Sequence, residues 1–137
     1  MILKKEMFKR PVKIPLEHNR NIDGLLVKVN RLRLLYGKPL IVTSGYRSLE
    51  EHLAIYAAKG ITDQAKIPMK SKHLSGQAVD LVPADGDIKG FQKFISELVK
   101  YNDFAVDGLW FEDFAYTDRW THAQSVPPKS GKRFFLP

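Results

Sequence analysis

The stretch Ser71-Lys-His-Leu-Ser-Gly-Gln-Ala-Val-Asp80 decides how the rest of this chain is read. It sets a His and an Asp seven residues apart and joins them through Gly76 and small residues. Glycine permits backbone conformations that a β-carbon opposes, so the chain can turn between a loop carrying His73 and a strand, Ala78 to Val82, carrying Asp80. Imidazole nitrogen and carboxylate oxygen both bind zinc at roughly 2.0 to 2.2 Å. A third ligand is needed, and His122 in Asp118-Arg-Trp-Thr-His-Ala-Gln124, on a late strand, is the best candidate. Two His and one Asp leave a fourth position for water, the pattern of catalytic rather than structural zinc. Asp80 sits between Val79 and Leu81, where a carboxylate is costly unless a cation or hydrogen bonds satisfy it.

Outward from this stretch, the patterning reads as helices around a small sheet. Ile22, Leu25, Leu26, Val29, Leu32 and Leu35 or Tyr36 form a helical stripe that stops at Gly37, with Pro39 beyond. Leu40 to Val42 is a short β-rich run that delivers Tyr46 and Arg47 to its far end. Ser48-Leu-Glu-Glu51 reads as a capping box for a second helix, which runs to about Lys59 and stops at Gly60. Residues 61 to 72 show no period and form an exposed loop. Asp87 caps a third helix with Ile88, Phe91, Phe94, Ile95, Leu98 and Val99 at helical spacing, ended by Tyr101-Asn-Asp103. Phe104 to Val126 fits two or three strands, and the Pro- and Lys-rich tail from Pro127 is expected on the surface. The expected class is α+β: one domain over residues 1–137, with a small, mostly antiparallel sheet flanked by helices.

Composition narrows the chemistry. With 137 residues, 44% of them hydrophobic, the chain can close one core but not two. It has no cysteine, so disulfides and thiolate metal sites are excluded. The formal charge of +7 favours polyanionic partners, nucleic acid and bacterial cell wall alike. The basic residues are scattered without a nucleic-acid motif, so no specific nucleic-acid partner is expected. No apolar run has signal-peptide or membrane-spanning length, so synthesis in the cytoplasm is the expectation, as is a monomer.

The signature Ser-x-His-x-x-Gly-x-Ala-x-Asp resembles that of the zinc D-alanyl-D-alanine carboxypeptidases and L-alanyl-D-glutamate endopeptidases, a family that includes many phage endolysins. Ser71, His73, Gly76, Ala78 and Asp80 match every fixed position. The upstream string Thr43-Ser-Gly-Tyr-Arg-Ser48 and the later Trp120-Thr-His122 also resemble the family's segments, in the same order. The resemblance covers about residues 40 to 125 and implies a fold shared with Hedgehog signalling domains, a zinc ion on His73, Asp80 and His122, and peptidoglycan peptide as substrate. It further implies a phage or prophage lysis enzyme, which acts on the wall after release.

In such enzymes an acidic side chain takes a proton from the metal-bound water, and an Arg binds substrate or the developing oxyanion, which implies that role for Arg47. Ser71 is expected to brace its loop at the substrate site, and Trp120, two residues before His122, to border the cleft. The family's acid lies three residues before the last His, where this chain has Arg119. Asp118 is the expected base, with Glu112 and Asp113 as alternatives. On an ideal strand Asp118 would lie about 13 Å from His122, so it requires a bend near Arg119. Two other classes compete: a zinc-binding module of the same fold without catalysis, and a basic nucleic-acid-binding protein.

Overall fold

Ile22, Leu25, Leu26, Val29 and Leu32 are all buried along one side of α1 (Leu16–Tyr36) in the computed structural model, which describes residues 1–137. Of the two candidates for the end of that stripe, Tyr36 packs against the core while Leu35 is exposed. The helix begins six residues before Ile22. Residues 16–21 carry no apolar period, so their helix is held by tertiary contacts instead: Asn21 Nδ2 donates to the Ser75 carbonyl at 3.0 Å, and His18 Nδ1 meets the Tyr46 hydroxyl at 3.1 Å.

β1 (Leu40–Ser44) follows, then α2 (Leu49–Ala58), whose N-cap Ser48 accepts from the Glu51 backbone at 3.2 Å. The expected box is only half formed, because the Glu51 carboxylate accepts from the Ser48 hydroxyl at 3.3 Å rather than from its backbone. The loop expected over residues 61 to 72 contains one 3₁₀ turn, Gln64–Lys66, and leads into a second, Lys72–Ser75. His52, fully buried in α2, pins that segment through Nε2 and the Pro68 carbonyl at 3.0 Å. β2 spans Ala78–Pro83, and α3 spans Ile88–Tyr101 with Asp87 accepting from Gly90 N.

Between Phe104 and Val126 there are two strands, β3 (Trp110–Glu112) and β4 (Thr121–Gln124). The tail is not merely a surface segment. Phe134–Phe135 form a fifth strand, β5, parallel to β3. Its anchor is Phe134, which packs on Phe111 and Phe114 with ring centroids 6.0 and 5.2 Å apart. Apolar burial thus overrides the polar composition of the tail.

The sheet order is β1-β2-β4-β3-β5, antiparallel except for the β3–β5 edge. Strand residues alternate between faces. Val79, Leu81, Phe111 and Ala123 face a core shared with Ile22, Leu25, Phe91 and Ile95 of the helices. Their neighbours Asp80, Glu112 and His122 therefore share the other face of the sheet.

Candidate metal centre

Strand pairing, rather than proximity in sequence, assembles the site. Ser44 pairs with Asp80 across a bulge in β1, Asp80 pairs with His122, and Glu112 pairs with Phe135. Phe111 opposite Ala123 carries the antiparallel register one step on, so Glu112 stands beside His122. One continuous row, Ser44-Asp80-His122-Glu112-Phe135, crosses all five strands. His73 joins it from the turn Lys72–Ser75, which ends at Gly76 with φ +75°. A side chain at Gly76 would meet Ile22 Cγ1 at 2.7 Å and the His18 carbonyl at 2.8 Å, so both its conformation and its surroundings demand glycine.

His73, Asp80 and His122 each offer a ligand atom, and these atoms lie within 4.8 Å of one another. Asp80 Oδ1 is 3.4 Å from His73 Nε2 and 3.0 Å from His122 Nδ1. Tetrahedral ligands 2.0 to 2.2 Å from a zinc ion would lie about 3.3 to 3.6 Å from one another, close to both Asp80 separations. Hydrogen bonds on the far side of each ring set its tautomer. His73 Nδ1 is 2.8 Å from the Gly45 carbonyl, which can only accept, so Nδ1 carries the proton and Nε2 turns a lone pair toward Asp80. Gln124 Nε2 donates to the Val126 carbonyl at 2.8 Å, which leaves Gln124 Oε1 to accept from His122 Nε2 at 3.0 Å. The free lone pair of neutral His122 is then Nδ1, also toward Asp80. Two imidazoles and a carboxylate aimed at one point suit a divalent cation, and the carbonyl and amide behind them are the orienting partners such sites use.

The electrostatics agree. Burial alone would raise the Asp80 carboxyl, but hydrogen bonds and charge from His122 and His73 hold it well below the usual carboxylate range. Burial alone would lower His122, but Asp80 outweighs it and raises the imidazole above its ordinary value. Glu112 is pushed up, first by burial and then by the Asp80 charge, with His122 and His73 pulling it down. That carboxylate feels all three members of the trio.

The other expected site residues fall in different places. Arg47 is half-buried, and its guanidinium donates to Ser44 Oγ from Nε at 3.2 Å and Nη2 at 2.9 Å, at the β1 end of the row. Its backbone N–H also donates to the His73 carbonyl at 3.1 Å, which ties the Thr43–Ser48 string to the ligand turn. Gly45 in that string passes so close to the Met7 backbone that a Cβ would lie 2.5 Å from its carbonyl oxygen. Ser71 caps the Lys72–Ser75 turn without using its hydroxyl and lines a cleft with Lys70 and Lys72. Trp120 is half-buried immediately before β4, its carbonyl accepting from Gln92. Asp113 caps the turn Phe114–Tyr116 by accepting from Ala115 N. Asp118 is exposed at a bend, and the acids acting on His122 are Asp80 and Glu112. Gln124 and Phe135, whose ring meets His122 edge-on at 6.0 Å, were not expected at the site. For Gln124 the signal was its position, two residues after His122 and so on the same strand face; no sequence signal marks Phe135.

Residues 4–123 match the family described as Peptidase M15. This chain belongs to that family. No curated protein sequence matches it. The M15 match contains His73, Asp80, Glu112 and His122 and stops one residue after His122, so Gln124 and β5 lie outside it. Membership supports a metallopeptidase with a peptide substrate, and the His-Asp-His group is where this M15 chain can hold its metal.

Proposed function

We propose that the chain is a zinc-dependent peptidase that hydrolyses an amide bond in bacterial peptidoglycan stem peptides, of the D-Ala-D-Ala carboxypeptidase or L-Ala-D-Glu endopeptidase type. A phage or prophage lysis enzyme, made in the cytoplasm and released to the wall, is the setting this reading favours. The observation that carries it is the convergence of His73 Nε2, Asp80 and His122 Nδ1, with both imidazole rings oriented from behind. Zinc is favoured over magnesium or calcium because two of the three donors are imidazole nitrogens, whereas those harder ions select oxygen. When bound, zinc would polarise the scissile carbonyl and acidify a water.

The chain's own residues supply the remaining roles. Glu112 is assigned as the base in place of Asp118: it stands beside His122 in the row, whereas Asp118 is exposed beyond a bend. Partial burial raises the Glu112 carboxyl, which suits a group that accepts a proton from water and returns it to the leaving amine. At the opposite end of the row, Arg47 is held by Ser44 with donors left to orient a substrate carbonyl or carboxylate. Gln124 keeps the His122 ring in the tautomer that binds.

Mass spectrometry of muropeptides digested by the zinc-loaded protein, with chelator-stripped protein as control, tests the proposal. New free amino termini or released D-Ala only in the loaded digest are expected. Stoichiometric zinc without cleavage would leave a binding module in place of an enzyme.

A further inference from the structure

Beyond Glu112, the row ends in a cleft whose lining, Asp113 apart, lies outside the M15 match. It has a volume of about 430 Å³ and is lined by Asp113, Lys129, Ser130, Lys132, Phe134 and Phe135, among others. Phe135 belongs to both regions, since the ring that borders this cleft also lies 6.0 Å from the His122 ring. The wall is firmly built. Phe111 N donates to the Arg133 carbonyl and Asp113 N to the Phe135 carbonyl, both at 2.8 Å. Arg133 in turn donates to the Val106 and Leu109 carbonyls and pairs with Asp103 at 3.1 Å.

The charge of the cleft is unbalanced. The cations that form ion pairs are Lys4, Lys38, His73, His122 and Arg133, which leaves Lys129 and Lys132 unpaired. The cleft's acid, Asp113, is turned to the Ala115 backbone at 2.9 Å. Two free ammonium groups beside an apolar wall, continuous with the metal row, suit a carboxylate on an extended peptide that crosses the strands.

We propose that this cleft is a substrate subsite: Phe135 guides the peptide away from the metal, and Lys129 and Lys132 select a free carboxylate on it, either chain-terminal or on a side chain. The inference rests on the peptidase reading above. Strands lie roughly 4.7 to 4.9 Å apart, so β5 is about 9.5 Å from β4, which an extended chain covers in about three residues at 3.3 to 3.6 Å each. A peptide that reaches β5 has therefore run about three residues from the metal row, and the selected carboxylate lies at or just beyond that point. Lys129, Lys132 and Phe135 lie beyond residues 4–123, the range that matches the family.

The test compares peptides identical except for a carboxylate or carboxamide at that position, as side-chain and as C-terminal pairs, which separates the two sources. The wild-type, zinc-loaded protein should favour the acid form about fivefold in kcat/KM, the scale of one or two exposed ion pairs, with the preference fading at high salt. Lys129→Ala with Lys132→Ala should bring the ratio to one, whereas Lys89→Ala with Lys93→Ala, which removes the same charge from exposed positions on α3, should keep it. In parallel, titration of the acid peptide into the protein should shift the Lys132 and Phe135 amide resonances more than the amide peptide does. Equal kcat/KM for both forms, or a preference that survives loss of both lysines, would overturn the subsite and leave the peptidase reading standing. If no peptide is cleaved the peptidase reading falls, and equal resonance shifts for both forms would then remove the subsite on its own evidence.

Discussion

The ligand half of the site, β2, β4 and the His73 turn, is built differently from the outer half, β3 and β5. In the first, each imidazole is held from behind by one short contact, His73 to the Gly45 carbonyl and His122 to the Gln124 amide, and Asp80 and His122 are neighbours on paired central strands. In the second, strands of three and two residues carry Glu112 and Phe135, and position depends on register and on the aromatic anchor Phe134. A metal site demands donors placed to within fractions of an ångström, while a base and a substrate wall can approach through water or substrate. The half that tolerates more movement is the one built from the shorter strands.

The comparison breaks first at the ligands. Asp80→Ala or His122→Ala should lose bound zinc and all measurable hydrolysis, and metal analysis of the His73→Ala, His122→Ala double variant should find none. Full stoichiometry there would place the metal elsewhere.

In the outer half the effect is expected on turnover alone. Glu112→Gln should keep zinc and lower kcat by roughly 10² to 10⁴, the usual contribution of a positioned base, while Asp118→Asn stays near wild type. The reverse pattern would return the role to Asp118 and show that its bend closes in solution.

Gln124→Ala sits between the two halves, since it touches a ligand but binds no metal itself. Zinc affinity should fall about 10- to 100-fold, as it does when orienting partners of metal-bound His are removed, with competitive chelator titration as the measurement. An unchanged Kd would show that Asp80 alone holds the ring. Arg47→Lys should leave that affinity intact and cost about tenfold in kcat/KM, the equivalent of one charge-assisted hydrogen bond. Steady-state kinetics that show no loss would reduce Arg47 to a brace for the His73 turn.

The smallest expected effect is on stability against pH. In the metal-free protein the pKa of His122 is raised, so its stabilising contribution is complete below its unfolded value near 6.5 and is lost as pH rises through the folded value. Asp80 is depressed, so its contribution is complete above about 3.9 and is lost as pH falls toward its folded value. Zinc competes with the His122 proton, so loaded protein should gain stability over the same alkaline range in which the metal-free protein loses it. Thermal melts from pH 5 to 9, with and without zinc, read both slopes; parallel curves would mean that the metal does not displace that proton.

The local sequence by itself determined the helices, the central strands and the pair His73 and Asp80. Apolar spacing is printed in the chain wherever a helix or strand buries one face, as at Ile22 to Leu32, and His73 with Asp80 share a single turn-and-strand motif whose glycine marks the turn. What only the tertiary structure decided lies across strand pairs. The expectation of a base in Asp118 came from nearness in sequence to His122, whereas the pairing of β3 with β4 brings Glu112, ten positions back, beside that histidine. The tail from Pro127 reads as polar surface because Phe134 and Phe135 are only two residues among lysines and prolines, too few for any period to register. Both outcomes have one cause: backbone hydrogen bonds between distant strands are chemically alike at every residue, so their register is chosen by the packing of the whole core and not by the residues that the pairing brings together.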